Sequence, residues 1–274
     1  MGVFRAWAKG DSGMMAATDL VTFLLKLLLV PTFIGVVSLA GRRWGPTVSG
    51  WLIGLPLTSG PVAFILALEQ GTVFASEASR GIMLGIISVF VFCLVYSRLA
   101  IHVKWTPSLL GALVSYFAST YFLNVLRLSL LVGFASILVI LVASLALMPS
   151  VGSDKTPAIS PHWEIPARMI SATALVFIIT GVAQLLGPQL TGLLTPFPVY
   201  VTILVVFIHR LQDAGQAVRL LRGVVAGSFT FAVFFLVIST TILTWGVGTS
   251  FTAAICFGLV THACSFRFLK RPSR

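Results

Sequence analysis

Nine times along this chain about 20 mainly apolar residues run together, near 20–40, 47–68, 78–99, 107–125, 128–148, 167–186, 190–208, 221–243 and 247–268. Hydrocarbon offers no water to satisfy a backbone N–H or C=O. Segments of this length therefore cross a bilayer as helices whose hydrogen bonds close within themselves. Only 9% of the 274 residues are charged and 58% are hydrophobic, against about 25% charged in a soluble domain. The expected fold is an all-α polytopic membrane protein with about nine transmembrane helices, its principal partner the lipid bilayer. The first run is not followed by a small-residue cleavage site of the A-x-A kind, so it is expected to stay as a span.

The second run breaks the rule that makes it a span. Residues 45–61 read GPTVSGWLIGLPLTSGP, with four glycines and three prolines in an otherwise apolar stretch. A shifted copy follows downstream: GPQLTGLLTPFP at 187–198 falls on GPTVSGWLIGLP at 45–56 with an offset of 142. The register continues without a gap, pairing Gln70 with Gln212, Ala75 with Ala217, Arg80-Gly81 with Arg222-Gly223, Gly85 with Gly227 and Phe92 with Phe234. Upstream it pairs Lys26 with Arg168. Between 45–95 and 187–237 there are 14 identities in 51 pairs. Apolar composition explains shared Leu and Val, but not shared Gly, Pro and Arg in one register.

The chain thus divides into an N-terminal tail at 1–19, a four-span repeat at 20–127, a linker span and loop at 128–161, a second four-span repeat at 162–269, and a tail at 270–274. Four spans plus one linker is an odd number. The second repeat is therefore expected to enter the membrane upside down, as inverted repeats do in many transporters. With the N-terminus outside, 13 of the 18 Lys and Arg fall inside: Arg42, Arg43, Arg98, Lys104, Lys155, Arg168, Arg210, Arg219, Arg222, Arg267, Lys270, Arg271 and Arg274. Arg5, Lys9, Lys26, Arg80 and Arg127 fall outside. Basic residues gather in cytoplasmic loops, so the expected orientation is N-out and C-in. The same scatter over span-flanking loops argues against nucleic acid as the partner of this +11 chain.

Residues 165–270 resemble the GlpM family of small four-span bacterial inner-membrane proteins. The resemblance rests on a basic residue in the first span (Arg168), a Gly/Pro stretch in the second (Gly192, Leu193, Pro196, Phe197, Pro198), and Arg222 in the following Ala/Arg-rich segment. The first half matches through Lys26, Gly50, Gly54, Leu55, Pro56 and Arg80. The resemblance implies two GlpM-like units fused in tandem in the bacterial cytoplasmic membrane, with a link to envelope and exopolysaccharide physiology and no defined molecular activity.

Catalytic and metal chemistry is hard to find. The acids Asp11, Asp19, Glu69, Glu77, Asp154, Glu164 and Asp213 all fall in loops or at span ends, so no intramembrane carboxylate of the usual relay type is expected. His102, His162, His209 and His262 show no metal-ligand spacing, and no nucleophile elbow or phosphate loop occurs. Cys93, Cys256 and Cys264 lack C-x-x-C spacing and read as small core residues. The chain is expected to be no enzyme and to need no cofactor or metal. Paired Gly/Pro interruptions in matching spans are instead a pointer to a midplane substrate site, although small residues also serve helix packing. The candidate substrate-binding residues are Lys26, Gly54, Pro56, Arg80, Arg168, Pro196, Pro198 and Arg222. They suit a small anionic or polar solute held between the two inverted repeats. The rival expectation is a non-transporting assembly partner in envelope biosynthesis.

Overall fold

The computed structural model describes residues 12–57, 59–126, 128–151, 161, 163–194 and 197–269, without the side chains of 12–27, 62, 66, 69, 180–194 and 267–269. Among the described residues the chain is helical, with no strand. The helices are α1 (Ser12–Trp44), α2 (Pro46–Ile53), α3 (Ser59–Gln70), α4 (Thr72–Ala100), α5 (Trp105–Leu126), α6 (Leu130–Leu147), α7 (Glu164–Leu194), α8 (Val199–Leu211) and α9 (Ala214–Leu269). Among the described residues four stretches are long and apolar enough to cross a membrane: α4, α5, α6 and 53 residues of α9.

Single glycines do the turning. Gly45 (φ 91) separates α1 from α2 and Gly71 (φ 85) separates α3 from α4, in a region of backbone space that a Cβ disfavours. Pro46 then opens α2 with its φ already helical. Gly246 (φ 75) bends α9 into two arms, 214–245 and 247–269. The arms fold back on each other, since Thr230 meets His262 and Phe234 meets Phe251.

The interruption in the second apolar run is present: α2 ends at Ile53 and α3 begins at Ser59. The seventh run is broken at the matching place, where α7 ends at Leu194 and α8 begins at Val199. One sequence expectation is corrected here. The sixth run was expected to end near 186 and the seventh to begin near 190, but α7 continues through Gly187 and Pro188 to Leu194 before α8 begins. Unlike Gly45, Gly187 does not end a helix.

Helix boundaries recur at the spacing of the sequence repeat. The first arm of α9 starts at Ala214, 142 residues after the start of α4 at Thr72, and the second arm starts at 247, 142 after Trp105. Burial follows the same register. Ala75 and Ala217, Met83 and Val225, Phe92 and Phe234, Ser108 and Ser250, and Ala112 and Ala254 are all buried. A buried polar clasp repeats with different chemistry: Thr120 Oγ1 donates to Ser88 Oγ at 2.8 Å, and 142 residues on, Thr230 Oγ1 meets His262 Nδ1 at 2.9 Å. The equivalent helices α4 and the first arm of α9 run antiparallel, because Ser76 near the start of one donates to the carbonyl of Ser239 near the end of the other. Phe90 and Phe92 of α4 and Leu221, Phe235 and Ile238 of the first arm are all fully buried in the core.

The linker helix α6 lies against α4 and α9. Ser129 caps its start by accepting from the Val132 N–H. Close backbone packing joins α2 to α9: an ideal Cβ on Gly50 would stand 2.0 Å from Leu220 O, and one on Gly54 2.1 Å from Gly227 C. Reciprocally, an ideal Cβ on Gly223 would stand 2.1 Å from the Thr47 carbonyl oxygen and one on Gly227 2.2 Å from the Trp51 carbonyl oxygen. Both partners thus carry G-x-x-x-G, the spacing that lets helix backbones touch where lipid supplies no hydrophobic drive.

Candidate functional site

The most polar buried place in the described structure joins the two repeats at α1 and α7. These helices run antiparallel, so contacts step along them in opposite directions: Arg42 with Glu164, Ser38 with Arg168, Gly35 with Met169. Glu164 sits in the first turn of α7, where a negative charge suits the helix dipole. It accepts from Arg168 four residues on and from Arg42 Nη2 at 3.4 Å. Arg42 Nη2 also donates to the Pro161 carbonyl at 2.8 Å. Arg168 Nη1 reaches Ser38 Oγ at 3.4 Å, its Cζ lies 5.8 Å from the Phe207 ring, and its Nε has no hydrogen-bond partner among the described residues. Glu164 is 1% exposed and Arg168 4%. Two guanidinium groups against one carboxylate leave the cluster one positive charge in excess.

Glu164 lies at a helix end, as expected from sequence, but the fold buries it there. The basic candidates were expected to have no acids nearby, and for Arg168 this is corrected, since Glu164 is its partner. The E-I-P-A-R spacing at 164–168 was the available signal, since residues four apart share a helix face.

The other candidates do not gather around this cluster. Arg80 Nη2 donates to the Leu128 carbonyl at 2.6 Å and Arg222 Nη1 to the Met148 carbonyl at 3.2 Å. These carbonyls flank α6, and its 18 residues span about 27 Å at 1.5 Å per residue. The two repeat-equivalent arginines therefore hold opposite ends of one helix. Gly54 packs on the Gly227 backbone. Pro56 lies half-buried in the break between α2 and α3, and its carbonyl accepts from Gly60 N–H. Pro198 is buried as the N-cap residue of α8. Lys26 lies on α1 with its side chain outside the described residues, and Pro196 lies outside them altogether.

Contacts bring the basic segments together at one end of the bundle. Arg42 meets 161–164, Trp51 Nε1 donates to Ser265 Oγ, Tyr96 meets His209, Arg98 Nε donates to Leu147 O, and Arg222 meets Met148. Arg42, Arg43, Arg98, Lys104, Arg168, Arg210, Arg219 and Arg222 all belong to these segments, while Arg80 and Glu77 lie at the opposite end. On the basic end an open depression of about 660 Å³ is lined by Ala100–Lys104, Thr106, Pro107 and His209. His209 Nδ1 stands 3.2 Å from Tyr96 OH. α8 links this depression to the charge cluster, through His209 on one side and Phe207 on the other. Among the described residues no group of three His, Cys, Asp or Glu could hold a metal ion.

Comparison of the chain with protein-family profiles, with curated proteins and with solved structures finds no match.

Proposed function

We propose that this protein is a transporter-like, multi-pass protein of the bacterial inner membrane that moves a small anionic or polar solute between two inverted repeats. The observation that carries the proposal is the Arg42–Glu164–Arg168 cluster, whose members come from both halves: Glu164 and Arg168 are buried, and the exposed Arg42 at their edge makes the net charge positive. The surplus charge lies at the accessible edge of the buried pair, where an arriving anion can meet it in a charge-assisted hydrogen bond. The inverted arrangement is supported by the 142-residue recurrence of boundaries and burial, and by the antiparallel packing of α4 on the first arm of α9. Nine crossings with the basic end in the cytoplasm belong to the same reading, supported by the nine apolar runs and the positive-inside bias. Two fused GlpM-like units account for the duplication.

The test is reconstitution of the full chain into liposomes on a solid-supported membrane, challenged with jumps of chloride, phosphate, sulfate and small carboxylates. Charge movement with at least one anion, lost in Arg168→Gln and kept in Arg43→Gln, is the expected result. A second proposal, a non-transporting partner in envelope assembly, is favoured by one observation: Arg80 and Arg222 spend their hydrogen bonds on the linker helix. Silent liposomes, together with a stoichiometric partner captured by cross-linking in cells, would select it.

A further inference from the structure

The second arm of α9 carries a buried histidine that the charge cluster does not use. His262 is 5% exposed. Its ring is stacked on Trp51 of α2, centroids 3.6 Å apart and planes 13° apart. Its Nδ1 shares a hydrogen bond with Thr230 Oγ1 at 2.9 Å, and its Nε2 has no partner among the described residues. Trp51 is itself fixed, since its Nε1 donates to Ser265 Oγ at 2.9 Å and Ser265 Oγ donates to the His262 carbonyl. A buried polar atom left unpaired costs about 1–3 kcal/mol. In the equivalent place of the first repeat, Thr120 donates to Ser88, so a hydroxyl suffices to clasp two helices here. The imidazole adds an ionisable nitrogen that the clasp does not need.

We propose that His262 is a proton-binding site, taking a proton from water onto the Nε2 lone pair and holding the resulting imidazolium against the face of Trp51. The structure offers the cation two things. The indole face attracts it as a cation–π partner. Thr230 Oγ1 accepts from Nδ1–H, which is protonated in the charged ring. Nε2–H becomes a donor with no partner among the described residues, so the ring face and the Nδ1 bond alone hold the cation. Among the described side chains the elements packed against the ring bring no competing charge: α2 has no ionisable residue, the facing stretch 223–234 of the first arm has none, and the side chain of Arg267 on the ring's own arm lies outside the described residues. On the ring's own arm Cys256 and Cys264 are exposed, away from it. Trp51 belongs to the short helix that ends at the Gly54 break. The proton thus sits where the interrupted span docks on α9. Proton binding stands on this geometry alone; its coupling to solute movement rests on the transport proposal.

The experiment reads Trp51 emission in the full chain, purified in lipid nanodiscs, as the difference between wild type and Trp51→Phe from about pH 2.5 to about pH 9, a range that brackets titration of a buried imidazole and of the Thr230 variant. The imidazolium is expected to quench the stacked indole, so Trp51 emission is lost as pH falls. His262→Gln should abolish that loss. Thr230→Val, which removes the acceptor for Nδ1–H, should move the midpoint down by roughly one pH unit, equivalent to about 1.4 kcal/mol taken from the charged form. Trp51 emission that stays constant with pH in the wild-type chain overturns the site, as does a pH-dependent loss that persists in His262→Gln. Neither result depends on whether the liposomes transport.

Discussion

Gly81 and Gly223 occupy the same place in the two repeats, each directly after an arginine, yet the fold gives them opposite surroundings. An added Cβ at Gly81 meets nothing within 4 Å. At Gly223 it would stand 2.1 Å from the Thr47 carbonyl oxygen and 2.9 Å from the Trp51 nitrogen, both backbone atoms of α2. Gly223→Ala must open that contact from 2.1 Å to the 3.4 Å of ordinary van der Waals distance, a displacement of about 1.3 Å. Neither side is a flexible side chain, so the strain belongs near the top of the 1–3 kcal/mol range for overpacking, about 3 kcal/mol. Replacing glycine by alanine inside a helix returns roughly 1 kcal/mol at both positions. Gly81→Ala is therefore expected to stabilise by up to about 1 kcal/mol and Gly223→Ala to destabilise by about 2 kcal/mol. At roughly 2–4 °C per kcal/mol, the two melting temperatures should differ by about 6–12 °C. Buried Cys93 supplies the probe, once the exposed Cys256 and Cys264 are replaced by serine. A thiol-reactive dye then reports the temperature at which the α4 core opens. Equal melting of the two variants, or a higher value for Gly223→Ala, would refute the backbone contact between α2 and α9.

Glu164→Gln leaves Arg168 buried without its carboxylate and should destabilise by about 3–5 kcal/mol, while Glu164→Met with Arg168→Met should recover most of the loss; wild-type melting of Glu164→Gln in the Cys93 assay would sink the buried pair. Arg80→Gln and Arg222→Gln each remove a charged donor from a carbonyl flanking α6, expected to cost about 1.5–3 kcal/mol. The Lys versions should melt closer to wild type, because a carbonyl accepts from either side chain, and Arg→Lys variants as unstable as the Gln ones would show that the guanidinium fork does something else. For orientation, exposed Lys104 and Glu77 lie at opposite ends. In the Cys256→Ser, Cys264→Ser background, Glu77→Cys should react with an impermeant thiol reagent added to intact cells and Lys104→Cys should not, and the reverse pattern would invert the proposed topology.

Much of this architecture is written in the chain. The apolar runs specify helices, because hydrocarbon leaves the backbone no other way to satisfy its hydrogen bonds. Glycine and proline mark the break after Gly54, and the 142-residue register that pairs Arg80-Gly81 with Arg222-Gly223 also predicts where helices start and which positions are buried, such as Ala112 with Ala254. Which way each span faces is not written there. Lipid is as apolar as a protein interior, so a membrane helix has little reason to segregate apolar residues onto one face, and periodicity cannot tell Gly81, which meets open space, from Gly223, which meets a backbone. Nor can distance along the chain show that Glu164 lies between Arg168 and Arg42, or that Trp51 covers His262 more than two hundred residues away. Those contacts exist because α1 packs antiparallel on α7 and α2 docks on α9, and only the tertiary arrangement brings charges and rings from the two halves within reach of one another.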